Sequence, residues 1–301
     1  MRVYTQKSAV VDVEMISVAE CMGIMVHASG DGFLSFSNSP YYAHKHLAAV
    51  DIYPRRGCKI AYSPVDGEVI EVKRLGGIDD YIIIIGERDM DVCTKILHAK
   101  PTVEVGDYVK VGDTIGETVW SPFFNFWTDY HIHVEVRPID DRTRARGGFI
   151  LDPTPMIGRM RSNIEQPTTF TVTEKSDRYV ILTPDSSVAP YTTPLSLNIQ
   201  GSPLILEGGL THYGHGGLWG FLSGLDVPSL KVYGELQVDF LQSGYIHFTC
   251  PIRKILIGGS TFRGVSLYLN YPHIKLIPMN LGEVPLNIGD EVSTSEIFPL
   301  E

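Results

Sequence analysis

The most informative stretch of the chain is Tyr130-His131-Ile132-His133-Val134-Glu135-Val136-Arg137, in which polar and apolar residues alternate strictly. Side chains two residues apart lie on the same face of a strand, about 7 Å from each other. The alternation therefore predicts a strand that carries His131 and His133 on one face. Two imidazoles at this spacing can serve one metal site. The opposite face is predicted to enter a core through Ile132, Val134 and Val136.

A histidine pair of this spacing is weak evidence by itself, because it arises readily by chance. The chain contains 10 histidines in 301 residues, and His44 and His46 form a second pair. The functional interpretation of residues 130–137 therefore depends on the residues that precede them. Glu135 and Arg137 share the histidine face, where they can support a ligand histidine or pair with each other.

The composition is that of an ordinary globular protein, with 44% hydrophobic and 20% charged residues and enough length for two domains. The 25 basic residues face 35 acidic ones, which gives a net charge of −10. Because the sequence has no basic run that could neutralise a phosphate backbone, we expect no nucleic-acid partner.

Cysteine usage and hydropathy indicate the cellular setting. The four cysteines are far apart in sequence, which favours reduced thiols over disulfides or a thiolate zinc site. They are Cys21, Cys58, Cys93 and Cys250. The N-terminus lacks the apolar core of a secretion signal, and no stretch approaches the length of a bilayer span. We therefore predict a cytoplasmic protein with no membrane span.

Short β-branched runs separated by glycine and proline predict a mainly β protein. The Pro64-Val65-Asp66-Gly67 turn predicts a hairpin between strands at 61–63 and 68–72. Residues 81–85 form a continuous apolar run, typical of a strand buried on both faces. A further strand is predicted to end at His98.

Glycine and proline interruptions at 146–155 and 166–169 place a domain boundary near residue 160. We predict a first domain over residues 1–160 and a second β-rich domain of unknown role over 161–301. The second domain contains a predicted glycine-rich loop at 208–224. Residues 288–292 resemble residues 105–109, which is a weak sign of an internal repeat.

Two further segments have chemical potential. The passage 211–219, with His212 and His215, either covers a neighbouring site or is a structural turn with incidental histidines. The aromatic run at 120–127 either forms the wall of a substrate groove or packs against the second domain.

A catalytic zinc needs three nitrogen or carboxylate ligands and one open position, and the first 137 residues contain these types in separate segments. The order of the segments is distinctive: a histidine and nearby aspartate, the Pro-Val-Asp-Gly turn, the Gly76-Gly77 pair before an apolar strand, His98, the 105–116 passage Val-Gly-Asp-Tyr-Val-Lys-Val-Gly-Asp-Thr-Ile-Gly, and the His-x-His strand. Over about residues 44–137, this order resembles the lysostaphin-type zinc endopeptidases.

The resemblance implies the duplicated hybrid motif fold, a lysostaphin-like β-barrel or sandwich. It implies Zn2+ held by His46, Asp51 and His133, with His98 and His131 as unligated catalytic histidines. In that family the metal polarises the scissile carbonyl and activates a water, while the free imidazoles take its proton and stabilise the oxyanion. The implied activity is hydrolysis of a peptide bond in a peptide or peptide-containing substrate.

One departure from the family concerns the first ligand. The family's aspartate usually follows the histidine by four residues, whereas Asp51 lies five after His46 and seven after His44. In a regular strand a shift of one residue turns a side chain to the other face, so either a bulge restores the geometry or His44 is the ligand. We take His46 as the ligand and keep His44 as the alternative.

A second function fits the same residues. The chain shows no export signal, so peptidoglycan is not the expected substrate, and the rival function is a non-catalytic binding or scaffold protein with a degenerate or structural metal site. A biotinyl or lipoyl carrier would need a lysine at the tip of a tight turn, and the 64–67 turn has none.

Overall fold

The structure is a computed structural model that describes residues 13–86, 90–161, 166–199, 201–220, 237–242 and 244–298. Within these ranges the chain is mainly β, with four short helices of three or four residues each. The short β-branched runs separated by glycine and proline therefore predicted the mainly β class correctly. In the described ranges no helix has the length and hydropathy that crossing a membrane requires.

The first domain contains twelve strands, two α-helices and a 3-10 helix. In chain order these are β1 (Met15–Cys21), β2 (Ile24–Ser29), β3 (Phe33–Ser35), α1 (Tyr42–Lys45), β4 (Val50–Tyr53), β5 (Ile60–Tyr62), β6 (Gly67–Arg74), β7 (Tyr81–Gly86), β8 (Val92–Leu97), β9 (Ala99–Pro101), β10 (Tyr108–Val109), β11 (Thr114–Thr118), β12 (Ile132–Pro138), the 3-10 helix (Ile139–Asp141) and α2 (Thr154–Ile157).

A seven-stranded antiparallel sheet in the order β10-β6-β7-β8-β12-β4-β3 forms the centre of this domain. Strand β12 lies between β8 and β4, so that His133 is directly opposite Asp51 on one side and Leu97 on the other. The predicted inward face is confirmed, because Ile132, Val134 and Val136 are all buried. Strand β7 corresponds to the strand predicted at 81–85, and its residues after Tyr81 are buried, as expected for a strand covered on both faces.

The predicted hairpin around Pro64 is wrong. Strand β5 pairs with β11 in a separate three-stranded sheet, whereas β6 pairs with β7 and β10. The backbone of Ser63 exchanges hydrogen bonds with the 112–113 segment, at 2.8 Å to Asp113 O and 3.0 Å from Gly112 N. The turn therefore carries the chain from one sheet to the other, because its own backbone groups already have partners outside β6.

The second domain contains eleven strands and one helix in the described ranges. These are β13 (Thr169–Lys175), β14 (Val180–Pro184), β15 (Ser196–Ile199), β16 (Ser202–Leu210), β17 (His215–Trp219), β18 (Gln237–Gln242), β19 (Tyr245–Thr249), β20 (Ile255–Ile257), β21 (Ser260–Leu267), β22 (Ile274–Pro278), β23 (Glu291–Ser293) and α3 (Thr294–Ile297). All the strands belong to one sheet with the main order β18-β19-β17-β16-β21-β22-β14-β13-β23.

The predicted glycine-rich loop at 208–224 is also wrong where it is described, because β16 and β17 form a buried hairpin there. Glycine is needed for close packing rather than for a loop. A Cβ on Gly217 would lie 2.3 Å from the ring of Tyr245, and one on Gly216 would lie 2.7 Å from the carbonyl oxygen of Glu207. Strands that lack these side chains can approach their neighbours more closely.

The similarity between residues 105–109 and 288–292 extends to local structure. Gly106 N donates to Val69 O and Gly289 N donates to Val172 O, both at 2.9 Å. Strands β6 and β13, which receive these turns, each have one extra residue relative to the partner strand, after Val69 and after Val172. The two turns therefore close equivalent strand arrangements in the two domains.

Each domain has its own hydrophobic core, and the core of the first domain includes residues of the second. The first core runs from Ile16 to Met160 and includes three residues of the second domain, Ile205, Trp219 and Tyr245. The second core runs from Phe170 to Phe298. Shared packing of this kind holds the second domain firmly against the sheet that carries the histidines.

Candidate metal centre

Three buried side chains from different elements meet at one point: His44 from α1, Asp51 from β4 and His133 from β12. The Nε2 of His44 lies 3.1 Å from both His133 Nδ1 and Asp51 Oδ1, and His133 Nδ1 lies 2.9 Å from Asp51 Oδ1. The three donor atoms thus form a nearly equilateral triangle. Two imidazoles and one carboxylate are ligand types that zinc accepts.

The outer contacts of the two imidazoles fix their tautomers. The Nδ1 of His44 lies 3.0 Å from the carbonyl oxygen of Phe36, which can only accept a hydrogen. The Nε2 of His133 lies 3.1 Å from Glu135 Oε1, a carboxylate. Each neutral ring therefore carries its hydrogen on the outer nitrogen and directs a lone pair inwards, as in metal-binding histidines with a hydrogen-bonded second nitrogen.

The expectation that His46 belongs to this group disagrees with the structure. His46 is exposed, stacks on Tyr42 at 3.8 Å between ring centroids, and is held at Nδ1 by the Tyr42 carbonyl oxygen at 2.9 Å. The strand-face rule does not apply here, because His44 lies in a helical turn. Leu47 then adopts a left-handed φ of 53° and reverses the chain before β4. The alternative, His44, is the histidine that reaches Asp51.

His131 stands beside the triangle without joining it. Its Nε2 lies 3.5 Å from Asp51 Oδ2, and its Nδ1 lies 2.9 Å from the carbonyl oxygen of Asp129. Burial lowers the pKa of His131 to about 4 despite the opposing charge of Asp51. At neutral pH the ring is therefore neutral, with Nδ1 protonated and Nε2 able to accept a proton.

His98 follows β8 and lies near His131, with their ring centroids 5.3 Å apart. Its Nδ1 lies 2.8 Å from Asp80 Oδ2, a contact that the sequence did not predict. Burial would raise the pKa of Asp80, but hydrogen bonds from His98 and Ser121 hold it below its ordinary value. Asp80 was missed because the Asp79-Asp80 pair before an apolar strand gives no sequence signal for a contact with His98.

A buried ionic network supports His133. Glu135 accepts hydrogen bonds from Lys95 Nζ at 2.9 Å and from Arg137 at 2.5 Å, in addition to its contact with His133. Burial would raise the pKa of Glu135, but His133 and Lys95 hold it well below its ordinary value. The sequence left two alternatives for Glu135 and Arg137, and both occur. The two side chains pair with each other, and Glu135 also contacts His133.

His133 is surrounded by hydrogen-bond acceptors, which favour its protonated form. Burial would lower its pKa, but the hydrogen bonds to Asp51 and Glu135 raise that pKa to about 9. In the metal-free protein at neutral pH, a proton is thus held where three acceptor atoms converge. A cation that binds there must displace this proton, which couples metal binding to pH.

A small cavity lies next to these groups. It offers about 30 Å³ to the centres of water-sized molecules, which is room for about two waters. Its wall combines the site residues with loops of both domains: Asn38, Ser39, Pro40, Tyr41, Asp51, Tyr53, His98, Phe123, Phe124, Asn125, Thr128, His131, His133 and Tyr213.

Residues of the aromatic run at 120–127 line the cavity and also pack against the second domain. Phe124 lines the cavity and stacks on His131 at 4.6 Å between centroids. Trp127 packs in a cluster with Tyr179 and other second-domain residues. The passage 211–219 reaches the cavity through Tyr213, whose hydroxyl oxygen accepts a hydrogen bond from Trp127 Nε1 at 3.2 Å.

Two residues of the second domain bind the first-domain segments that orient site histidines. Glu207 accepts hydrogen bonds from the Ser35 and Ser37 hydroxyls, on either side of the Phe36 carbonyl that orients His44. Lys275 pairs with Asp129, the residue whose carbonyl orients His131. These partners lie more than 140 residues away in sequence, so no local pattern indicates them.

The fold and the site define a two-domain, mainly β protein with a buried His-Asp-His group of a composition that suits a metal ion. Two family models match the chain: "Domain of unknown function (DUF8155) N-terminal domain" over residues 6–153 and the DUF8155 C-terminal domain over residues 162–295. Because these two matches together span most of the sequence, the chain belongs to the DUF8155 family.

Two solved structures show a distant likeness. The antimicrobial peptidase lysostaphin from Staphylococcus simulans is 15% identical, with 87% of this chain and 95% of that chain covered and a TM-score of 0.30. An NMR solution structure of lysostaphin is 15% identical, with 88% and 95% covered and a TM-score of 0.28. These TM-scores are too low to support any statement about the site. No curated protein matches the sequence.

Proposed function

We propose that this protein is a zinc-dependent hydrolase of the metallopeptidase type, acting on a peptide substrate. The observation that carries the proposal is the inward convergence of three donor atoms, from His44, Asp51 and His133, within 3.1 Å of one another. Three lone pairs at such distances repel each other unless a proton or a cation lies between them. A cation would satisfy all three at once.

The donor set fits zinc in composition as well as in arrangement. His44, Asp51 and His133 would hold the ion, and their outer hydrogen bonds keep the rings in the ligating tautomer. When bound, zinc would polarise a scissile carbonyl and favour deprotonation of a water. The sequence expectation for the cofactor is retained, with His44 in place of His46.

The two remaining imidazoles supply proton-transfer groups. His98 and His131 both line the cavity, and each has its Nδ1 held by an acceptor, which leaves Nε2 as the nitrogen that can receive a proton. A group that can take the proton of a nucleophilic water is one that peptide hydrolysis requires.

The small size of the cavity favours the rival function, a non-catalytic binding or scaffold protein. Room for about two waters does not admit a peptide, and Tyr213 and the 39–41 segment form part of the wall. A hydrolase with this fold must therefore open the cavity when substrate binds. A scaffold protein would not need to open it.

The test begins with zinc content by mass spectrometry for the full chain and for His133→Ala and His131→Ala. We expect about one zinc per chain in the parent and in His131→Ala, and a large loss in His133→Ala. Of these two histidines, only His133 belongs to the donor triangle. Hydrolysis of a mixed fluorogenic peptide library is then measured with zinc-loaded, chelator-treated and zinc-restored protein.

Peptide hydrolysis that chelator removes, that zinc restores and that His131→Ala loses supports the hydrolase. Zinc binding without hydrolysis of any library member supports the scaffold with a structural metal. A parent that takes up no zinc after dialysis against it contradicts both the metal site and the hydrolase.

A further inference from the structure

Asp80 is a fully buried carboxylate immediately before β7, and four hydrogen bonds converge on it. Its Oδ2 accepts from His98 Nδ1 at 2.8 Å and from Ser121 Oγ at 2.6 Å. Its Oδ1 accepts from the backbone N–H groups of Tyr81 at 2.8 Å and of His98 at 3.2 Å. One carboxylate therefore holds both the ring and the backbone of His98.

The backbone of His98 shows why this support matters. His98 has a φ of +68°, in the left-handed region that a residue with a side chain rarely adopts. Such a conformation persists only where surrounding contacts hold it, and it is frequent at functional sites. The bond from His98 N to Asp80 is one of those contacts, and the left-handed turn places the ring beside the cavity that His131 also lines.

The two cavity histidines have different partners at Nδ1. His131 is held by a neutral backbone carbonyl, whereas His98 is held by an ionised carboxylate. A carboxylate stabilises the imidazolium that forms when Nε2 accepts a proton, and a carbonyl does so much less. His98 is therefore the better suited of the two to receive a proton, and His131 the better suited to remain a neutral partner.

We propose that Asp80 is the positioning residue of an Asp80–His98 pair, which fixes the Nδ1-protonated tautomer of His98 and makes its Nε2 the proton acceptor of the site. This inference rests on the proposed hydrolase. During hydrolysis the water oxygen bonds to the carbonyl carbon while its proton moves to His98 Nε2. The proton then passes to the amine nitrogen as the C–N bond breaks.

The substitution Asp80→Asn tests the pair because the surrounding donors fix how the new amide must lie. Two backbone N–H groups point at the Oδ1 position, so the amide oxygen must occupy it. The amide NH2 then faces His98 Nδ1 as a donor and forces the hydrogen of the ring onto Nε2. An Nε2 that carries this hydrogen cannot accept a proton.

The experiment uses the zinc-loaded full chain, with the His98 tautomer read by 15N NMR of labelled histidines and assigned through His98→Gln. We expect Nδ1-protonated His98 in the parent and the Nε2-protonated form in Asp80→Asn. On a peptide that the parent hydrolyses, kcat of Asp80→Asn should fall roughly 10²–10⁴-fold with KM and zinc content little changed. Ser121→Ala, which keeps the carboxylate, should retain the parent tautomer and lose less than about tenfold in kcat.

An Nε2-protonated His98 in the parent overturns the proposal without any variant, so a variant that fails to fold does not leave it open. A kcat for Asp80→Asn equal to that of the parent overturns it as well. If the zinc-loaded parent hydrolyses no peptide, the proposed function fails. The tautomer measurement still decides, in that case, whether Asp80 positions His98.

Discussion

At the scale of single residues, the candidate site depends on which nitrogen of each histidine carries the hydrogen. The Phe36 carbonyl and the Glu135 carboxylate hold the outer nitrogens of His44 and His133. When both rings are neutral, their inner nitrogens present lone pairs to a cation, together with Asp51. Ring orientation thus comes from contacts outside the triangle, and these contacts are as specific as the donor atoms themselves.

The first prediction separates the two histidines of the 44–46 pair. His44→Ala should lose nearly all bound zinc, because it removes one of three donor atoms. His46→Ala should keep about one zinc per chain, because His46 is exposed and its ring lies against Tyr42 rather than in the donor triangle. The metal content of each variant is measured after gel filtration. The two variants are matched controls, because each replaces one histidine by alanine.

The opposite pattern, with zinc lost from His46→Ala and kept in His44→Ala, would contradict the geometry of α1. Circular dichroism of each metal-free variant checks that a loss of zinc does not come from unfolding.

At the scale of the elements, β12 brings the site together because both of its neighbours contribute. Its register sets His133 opposite Asp51 of β4 and opposite Leu97 of β8, one residue before His98. A shift of one residue would turn His133 into the core and Val134 towards the site. The buried apolar face of β12 prevents that shift, so the hydrophobic alternation secures the position of the histidine.

The second prediction concerns the close packing of β17 in the second domain. Gly217→Ala should destabilise the protein by about 1–3 kcal/mol or more, because the new methyl group would lie 2.3 Å from the ring of Tyr245. That ring is buried and packs on Trp219 at 4.5 Å between centroids, so it has little room to move. Urea-induced unfolding of both proteins measures the difference.

Gly158→Ala is the matched control for this substitution. Gly158 ends α2 with an ordinary φ of −62°, and a Cβ there would approach no atom closer than 3.7 Å. Its free energy of unfolding should stay close to that of the parent. Equal stability of the Gly217 and Gly158 variants would show that β17 does not need glycine for packing.

At the scale of the whole molecule, residues of the second domain contribute directly to the site. Glu207 holds the segment that orients His44, Lys275 holds the residue whose carbonyl orients His131, and Tyr213 lies in the cavity wall. Residues from both domains also share the first core. Stability of the domain interface and geometry of the site are therefore coupled.

The third prediction concerns pH and this interface. Burial would raise the pKa of Asp129, but the Lys275 ammonium lowers it below its ordinary value of 3.8. A carboxylate with a lowered folded-state pKa stabilises the fold above its ordinary pKa, and the contribution is lost as pH falls through the folded value. Asp129→Asn should therefore cost about 3 kcal/mol at neutral pH, because it leaves Lys275 buried without its counter-ion.

Thermal unfolding of the parent and Asp129→Asn between pH 3 and pH 8 checks the sign. The difference should be constant from about pH 5 to pH 8 and should shrink below about pH 4, as Asp129 in the parent becomes protonated. Glu117→Gln, at an exposed position of β11, should show little difference at any pH. A difference that grows as the pH falls would contradict the assigned role of Asp129.

The sequence by itself determined the mainly β class, a strand at 130–137 that corresponds to β12 (Ile132–Pro138), and the types of side chain at the site. Those properties follow from local periodicity and from residue chemistry, which need no knowledge of distant partners. The alternation at 130–137 predicted the strand that carries His133, with His131 immediately before it, whereas Asp51 was expected only from the family resemblance. The choice between His44 and His46 did not, because it depends on a helical turn and a left-handed Leu47.

Only the tertiary structure decided the partners of the histidines. Asp80, Glu207 and Lys275 reach the site or its supporting segments from 18 to 172 residues away, and their sequence neighbourhoods carry no motif. The Pro64 turn and the Gly216-Gly217 pair were misassigned for a similar reason. Each has the composition of a tight turn or a loop, but sheet pairing and close packing with distant strands determine its structure.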